Sequence, residues 1–320
     1  MTVRRRSRAG VALLAAFAGV VTLLAACQAS VEPGRKPASL TEVTDFGRNP
    51  GGLRMYEYVP NSAGAHPPVL VAIHPCTGSG PGFHAGTAFA ELADRYGFIV
   101  VYPDANSEGQ CFDTASSQAL KRDGDSDPTS VASMVKYAEE HHKADAGRVY
   151  VTGASSGANM TNVLLADHPD LFKAGSVFMG VPFGCFPIDD YGSDGWRECS
   201  SGRHTETPQK WGDLVRDAYP GYKGARPRVQ LWHGTEDDTL NHKNLGEEIK
   251  QWTDVLGVNP EPVLTDQPKS GWTRTRYDDD GEQPPLEVIS VEGGQHDFPN
   301  SGMETMAISF LGLDRSGTQG

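Results

Sequence analysis

Arg148 to Gly157 reads RVYVTGASSG, and this stretch decides the fold. Val149, Tyr150, Val151 and Thr152 form an apolar, β-branched run suited to a buried strand, and Ala158 to Leu165 (ANMTNVLL) reads as a helix opening directly behind it. Between them stands G-x-S-x-G, with Ser155 at its centre. A strand that turns this sharply into a helix needs glycine on either side, because a Cβ there would collide at the bend. Such a nucleophile elbow lifts a serine hydroxyl above the sheet. The pentapeptide alone would arise by chance in roughly one chain in ten of this length. The strand before it and the helix after it therefore carry the inference.

Outward from the elbow the chain alternates. RMYEYVP and PVLVAIHP precede a helix near GTAFAELADRYG; FIVVYPDA precedes a helix near PTSVASMVKYAEEHH. Beyond the elbow come AGSVFMG, RVQLWHG, the helix NLGEEIKQWTDVLG, the strand LEVISVEG and a last helix near METMAISFLGL. Near-continuous Val and Ile runs separated by helices predict parallel strands covered on both faces. The economical fold is α/β, a doubly wound, mostly parallel sheet of the α/β-hydrolase kind in one catalytic domain. One insertion, between Gly180 and Arg228, breaks the rhythm; it is polar and holds two cysteines. A polar insertion suits a hydrated, sugar-like substrate better than a long acyl chain.

A serine needs a base, and the base needs a carboxylate to fix its tautomer. In this topology acid and base follow the serine in that order, each beyond a strand's C-terminal end. RVQLWHG runs into Thr235-Glu236-Asp237-Asp238, which makes Asp237 the expected acid with Asp238 as runner-up, and LEVISVEG runs into Gly294-Gln295-His296, which makes His296 the expected base. His141 and His142 close a charged helix where cations suit the dipole. His74 and His233 end strands and are expected to serve as hydrogen-bonding supports, whereas His84 and His242 are expected near the mouth of the site. Two backbone N–H donors must receive the oxyanion: Ser156, at a helix N-terminus, and Cys76, with Thr77 next, in the loop Pro75 to Gly80.

Two patterns lead nowhere. Asp123, Asp125 and Asp127 mimic a calcium loop, but Pro128 stands where glycine is needed and Met134 where the bidentate glutamate belongs. Asp127 reads instead as a helix N-cap. No spacing suits zinc and no glycine fingerprint suits a nucleotide, so neither metal nor cofactor is expected.

The N-terminus, residues 1–27, reads as a lipoprotein signal: MTVRRRSR is basic, Ala9 to Ala26 is apolar, and Leu24-Ala25-Ala26-Cys27 resembles a bacterial lipobox with Cys27 as the lipidated residue. Residues 28–42 suit a flexible linker and 43–320 the catalytic domain. Loss of Arg4, Arg5, Arg6 and Arg8 with the signal would lower the formal charge from -13 by four, to -17. Such an acidic globule repels phosphate backbones, which excludes nucleic acid as a partner; no protein partner is implied. Four cysteines remain, and in an oxidising compartment they allow three pairings. Cys76 with Cys111, each just past a strand end, and Cys185 with Cys199, closing a local loop, is the favoured one.

From about Gly51 onward the chain resembles extracellular esterases of the polyhydroxybutyrate-depolymerase and feruloyl-esterase type, and within them it is most similar to acetylxylan esterases of carbohydrate esterase family one. HPCTGSG, GFIVVYPDA, RVYVTGASSGANMTNVLLADHPDLF, GVPFGCF, AYPGYKGARPRVQLWHGTEDDTL, EEIKQWT and SGWTRT carry the likeness. The resemblance implies Ser155, Asp237 and His296 as triad, Cys76 and Ser156 as oxyanion donors, and acetyl groups on xylan as substrate. The histidine context GGQHDFP departs from the family, lacking the tryptophan that follows the histidine in many depolymerase-like members. Thr77, Phe183, Trp196 and Trp272 are expected substrate contacts, while Trp232, inside a strand, is expected in the core.

The expected activity is thus a secreted, lipid-anchored serine carboxylesterase that deacetylates xylan or xylo-oligosaccharides. The rivals are a feruloyl or hydroxybutyrate-type short-acyl esterase, and an inactive hydrolase-fold lipoprotein that binds carbohydrate.

Overall fold

The computed structural model describes residues 37–186, 193–299 and 302–315. The signal, Cys27 and most of the expected linker lie outside the described residues. The strands are β1 (Thr41–Val43), β2 (Arg54–Tyr58), β3 (Val69–Ile73), β4 (Ile99–Asp104), β5 (Val149–Ala154), β6 (Ala174–Phe178), β7 (Arg228–Gly234), β8 (Leu264–Lys269), β9 (Trp272–Tyr277) and β10 (Leu286–Val291). They form one ten-stranded sheet in the order β1-β2-β4-β3-β5-β6-β7-β10-β9-β8. From β4 through β3, β5, β6 and β7 to β10 all pairings are parallel. At the edges, β1 with β2, β2 with β4, β10 with β9 and β9 with β8 are antiparallel.

The helices are α1 (Gly80–Gly86), α2 (Phe89–Tyr96), α3 (Asp127–His142), α4 (Ser156–Asp167), α5 (Asp194–Ser200), α6 (Pro208–Ala218), α7 (Lys243–Leu256) and α8 (Met303–Leu311). Period-two alternation sends side chains to opposite faces of the sheet. Val69, Val71 and Ile73 of β3 pack with α3, α4, α6 and α7, whereas Leu70 and Ala72 pack with α1, α2 and α8. Both faces are buried, which is why these strands read as continuous apolar runs. Each fully buried Leu or Val contributes roughly 1.5–3 kcal/mol.

Three differences from the sequence expectation stand out. The helix at 127 has Ser126, not Asp127, as its N-cap; Asp127 is its first residue, just ahead of Pro128, and its carboxylate accepts from the Asp113 amide at 2.8 Å. Among the described residues the insertion after β6 carries two helices, α5 and α6, and Cys185 and Cys199, bonded within it, pack with Phe186 and Trp211 in a small core of their own. The hairpin of β8 and β9 had no counterpart in the apolar pattern. The other disulfide joins Cys76 to Cys111.

Polar side chains are strung across four strands inside the sheet. Ser176 of β6 donates to Gln230 of β7 at 2.7 Å, Gln230 donates to Glu287 of β10 at 2.7 Å, and Arg276 of β9 donates to Glu287 at 2.5 Å. Trp232 also donates its indole N–H to Gln230. Each buried polar group thereby finds a partner, as burial requires.

Candidate active site

Ser155 sits at the junction of β5 and α4 with φ 55° and ψ -116°. Positive φ costs a side-chain-bearing residue of order 1–3 kcal/mol, and the surroundings hold it there: its amide donates to Phe178 O at 2.9 Å, and its carbonyl accepts from Asn159 N at 2.9 Å. The flanking glycines are obligatory. A Cβ on Gly153 would lie 2.3 Å from Gly157 O, and one on Gly157 would lie 2.2 Å from Ile73 O.

Asp237 lies in the turn after β7 and His296 in the loop after β10. These parallel neighbours deliver both groups to one end of the sheet. His296 Nδ1 donates to Asp237 Oδ2 at 2.7 Å. The other carboxylate oxygen accepts from the amides of Thr239 (2.9 Å) and Leu240 (2.8 Å), and Nε2 of His233 lies 3.1 Å from Oδ2. Burial pushes the Asp237 pKa up, but the hydrogen bonds from His233 and His296 outweigh it and hold the carboxyl well below its ordinary range. A permanent carboxylate can only accept, so the proton of His296 belongs on Nδ1 and the lone pair on Nε2. Nε2 is buried and makes no hydrogen bond among the described residues, Ser155 Oγ included. Contact between nucleophile and base commonly tightens only once substrate is bound. Asp238, next in sequence, is exposed.

Ser155 and His296 line one cavity of about 670 Å³, together with Cys76, Ser156, Asn159 and Trp196. Ser156 begins α4, whose positive dipole end faces any anion formed beside Ser155. Thr77, the alternative oxyanion donor and an expected substrate contact, is exposed; its amide donates to Gly109 O at 2.8 Å, and it is not among the residues lining the cavity. Cys76, by contrast, lines the cavity with Ser155 and Ser156.

The aromatic candidates divide. Trp196 lines the cavity, stacked on Phe186 with ring centres 6.0 Å apart. Phe183 does not: it is buried in the main core, its backbone held on both sides by Gln251. Trp272 is also turned away, edge-on to Trp232 at 5.1 Å and beneath Lys269, beside a separate depression behind the His296 loop. Trp232 is fully buried. His84 packs between Tyr58 and Tyr102, and His242 bonds Ser290 at 3.0 Å; neither lines the cavity. His74 bonds Pro75 O and takes the Ala105 amide, bracing the loop that carries Cys76.

Sequence reasoning missed the opposite wall, Asn106 to Ala115. The Cys76–Cys111 bond, the Thr77 amide on Gly109 O and the Phe112 amide on Ser156 Oγ at 2.8 Å tie this segment to the elbow and to the loop that carries Cys76. Its signal was Cys111 alone. Among the described residues no three His, Cys, Asp or Glu side chains are grouped to hold a metal.

Residues 53–200 match the family described as Esterase PHB depolymerase. The chain is 43% identical over 285 residues to an acetylxylan esterase of Coprinopsis cinerea, covering 86% of this chain and 73% of that protein. It is 42% identical to a feruloyl esterase B of Talaromyces funiculosus, covering 88% and 78%. The solved acetyl xylan esterase from Aspergillus awamori superposes with a TM-score of 0.79 at 39% identity, over 86% of this chain and 99% of that one.

Proposed function

The chain belongs to the esterase family that contains these acetylxylan and feruloyl esterases, and from that premise we propose that it removes acetyl groups from xylan or xylo-oligosaccharides by a serine mechanism. The observation that carries the reading is the His296–Asp237 pair opening into the cavity that also holds Ser155 on its elbow.

In this reading Ser155 Oγ attacks the ester carbonyl while His296 Nε2 takes its proton. Asp237 keeps the ring in the required tautomer and stabilises the imidazolium. The oxyanion is received by the amides of Cys76 and Ser156, two donors of a kind worth about 3 kcal/mol each when removed. His296 then protonates the departing sugar oxygen. Water, activated by the same imidazole, releases acetate from the acetylated serine.

A second reading, feruloyl ester hydrolysis, draws on the feruloyl esterase relative and on the aromatic pair Phe186 and Trp196 beside the cavity. Comparing acetate release from acetylated xylo-oligomers with ferulate release from feruloylated arabinoxylan decides between them. Faster ferulate release would overturn the acetyl assignment.

The two disulfides suit an oxidising compartment outside the cytoplasm. Tethering through Cys27 is tested by metabolic labelling with a fatty-acid analogue: label lost in Cys27→Ser supports it, and no label on the natural chain refutes it.

A further inference from the structure

The cavity is walled unevenly. Phe186, Trp196 and Leu240 make part of it apolar, while the wall built from the missed segment and the start of α3 carries Glu108, Asp113 and Asp127. Among the described residues no lysine or arginine lines it.

The two aspartates are anchored by hydrogen bonds, Asp127 accepting the Asp113 amide at 2.8 Å. Asp113 accepts from the amides of Ala115 (3.2 Å) and Ser116 (3.0 Å) and from the hydroxyls of Ser116 and Ser126. Burial pushes its pKa up, yet these donors prevail and the carboxyl stays below its ordinary value. Asp127 is only 8% exposed. Glu108 differs: it is exposed on a short turn, Glu108–Gln110, that leads into the disulfide-bonded Cys111, and so it guards the open edge.

We infer that this wall selects substrate by charge. The site accepts esters whose alcohol portion is neutral near the scissile bond and rejects those bearing a carboxylate there, with Glu108 setting the rejection at the entrance. The inference rests on the esterase reading above and adds to it the class of alcohol. A carboxylate brought into this recess leaves bulk water and meets the like charges of Asp113 and Glu108, with no lysine or arginine among the described lining residues, a penalty built against the wrong ligand rather than an attraction for the right one.

The test uses two near-isosteric acetate esters, 3-acetoxybenzamide and 3-acetoxybenzoate, with kcat/KM for each divided by its rate of hydroxide-catalysed hydrolysis. The amide should be preferred by about tenfold or more at low salt. Glu108→Gln should narrow the ratio about threefold, and about 0.5 M sodium chloride should narrow it as well, because charges at the open edge are screened. Equal normalised rates, or a ratio unmoved by Glu108→Gln, would overturn the inference while leaving the esterase reading intact. Failure to hydrolyse either ester, or hydrolysis that survives Ser155→Ala, would remove the esterase reading itself.

Discussion

His233 reaches the same carboxylate oxygen of Asp237 that His296 uses, at 3.1 Å, and its Nε2 also lies 2.6 Å from Leu240 O. One fully buried imidazole therefore pins both ends of the turn that presents the acid. Replacing it with alanine leaves a buried carbonyl short of its donor, at a cost of roughly 1–3 kcal/mol in stability. Because the acid loses part of its support, kcat should fall about tenfold with KM little changed. Steady-state kinetics beside urea denaturation checks this. A variant that lost stability but kept its kcat would make His233 a purely structural residue.

Asp237→Asn offers His296 a donor where it needs an acceptor and so favours the wrong tautomer. Turnover should drop by about 10³ to 10⁴. Asp238→Asn, at an exposed neighbour, should stay within about twofold of the parent. If the two variants exchanged these outcomes, the acid would be Asp238. Ser155→Ala should abolish covalent labelling by a fluorophosphonate while leaving thermal unfolding nearly unchanged.

Glu248 of α7 is fully buried, accepts from Asn162 at 2.7 Å through one oxygen, and has no hydrogen bond to the other among the described residues. Burial pushes its pKa up to about 7, against the opposing pull of His233 and Asn162. A carboxyl with a raised folded pKa binds its proton more tightly in the native state, so its contribution is complete below the unfolded value. That contribution is lost as pH rises toward 7. The total change is about 3 kcal/mol. Glu248→Gln should flatten that decline in urea midpoints measured from about pH 5 to 8; parallel curves for variant and parent would contradict it.

The Cys76–Cys111 bond lines the cavity, and both partners are half-buried, whereas Cys185 and Cys199 are buried in the insertion. Replacing Cys76 and Cys111 together by alanine should cost about 2–4 kcal/mol through the unfolded chain. It should also lower kcat for a small acetate ester, because the wall and the oxyanion loop lose their covalent link. Unchanged kcat in a folded double variant would show that the hydrogen bonds of Thr77 and Phe112 suffice.

The sheet was legible because its central strands are buried on both faces and announce themselves as Val and Ile runs. The β8–β9 hairpin was not. LTDQPK is the edge strand and WTRTRY its inner neighbour, both with exposed and charged positions, and their one clear signal was the turn at Ser270-Gly271. Helix α1 hid in GPGFHAG, which looks like a turn; Ser79, whose hydroxyl caps Gly82 N at 3.0 Å, and the proline behind it were the clue.

Ser155, Asp237 and His296 could be read off the ends of strands, since topology alone carries those ends to one rim. The cavity wall could not, because a disulfide and two backbone contacts fold Asn106 to Ala115 over the elbow and nothing periodic marks that segment. Aromatic identity misled for Phe183 and Trp272: residue type does not say which side of a strand or turn a ring takes. Trp272 pairs with Val291 across the sheet and spends its surface on Trp232.

The chain of polar groups through the sheet has a consequence at the rim. Gln230 and Glu287 face each other in register on β7 and β10, the strands that end in the turn of Asp237 and the loop of His296. Sliding one strand past the other by a single residue would strand a buried carboxylate and an amide among apolar neighbours, so misalignment is penalised deep inside the protein. The separation of His296 from Asp237 is in this sense measured out at the far end of the sheet, by residues that do not line the cavity.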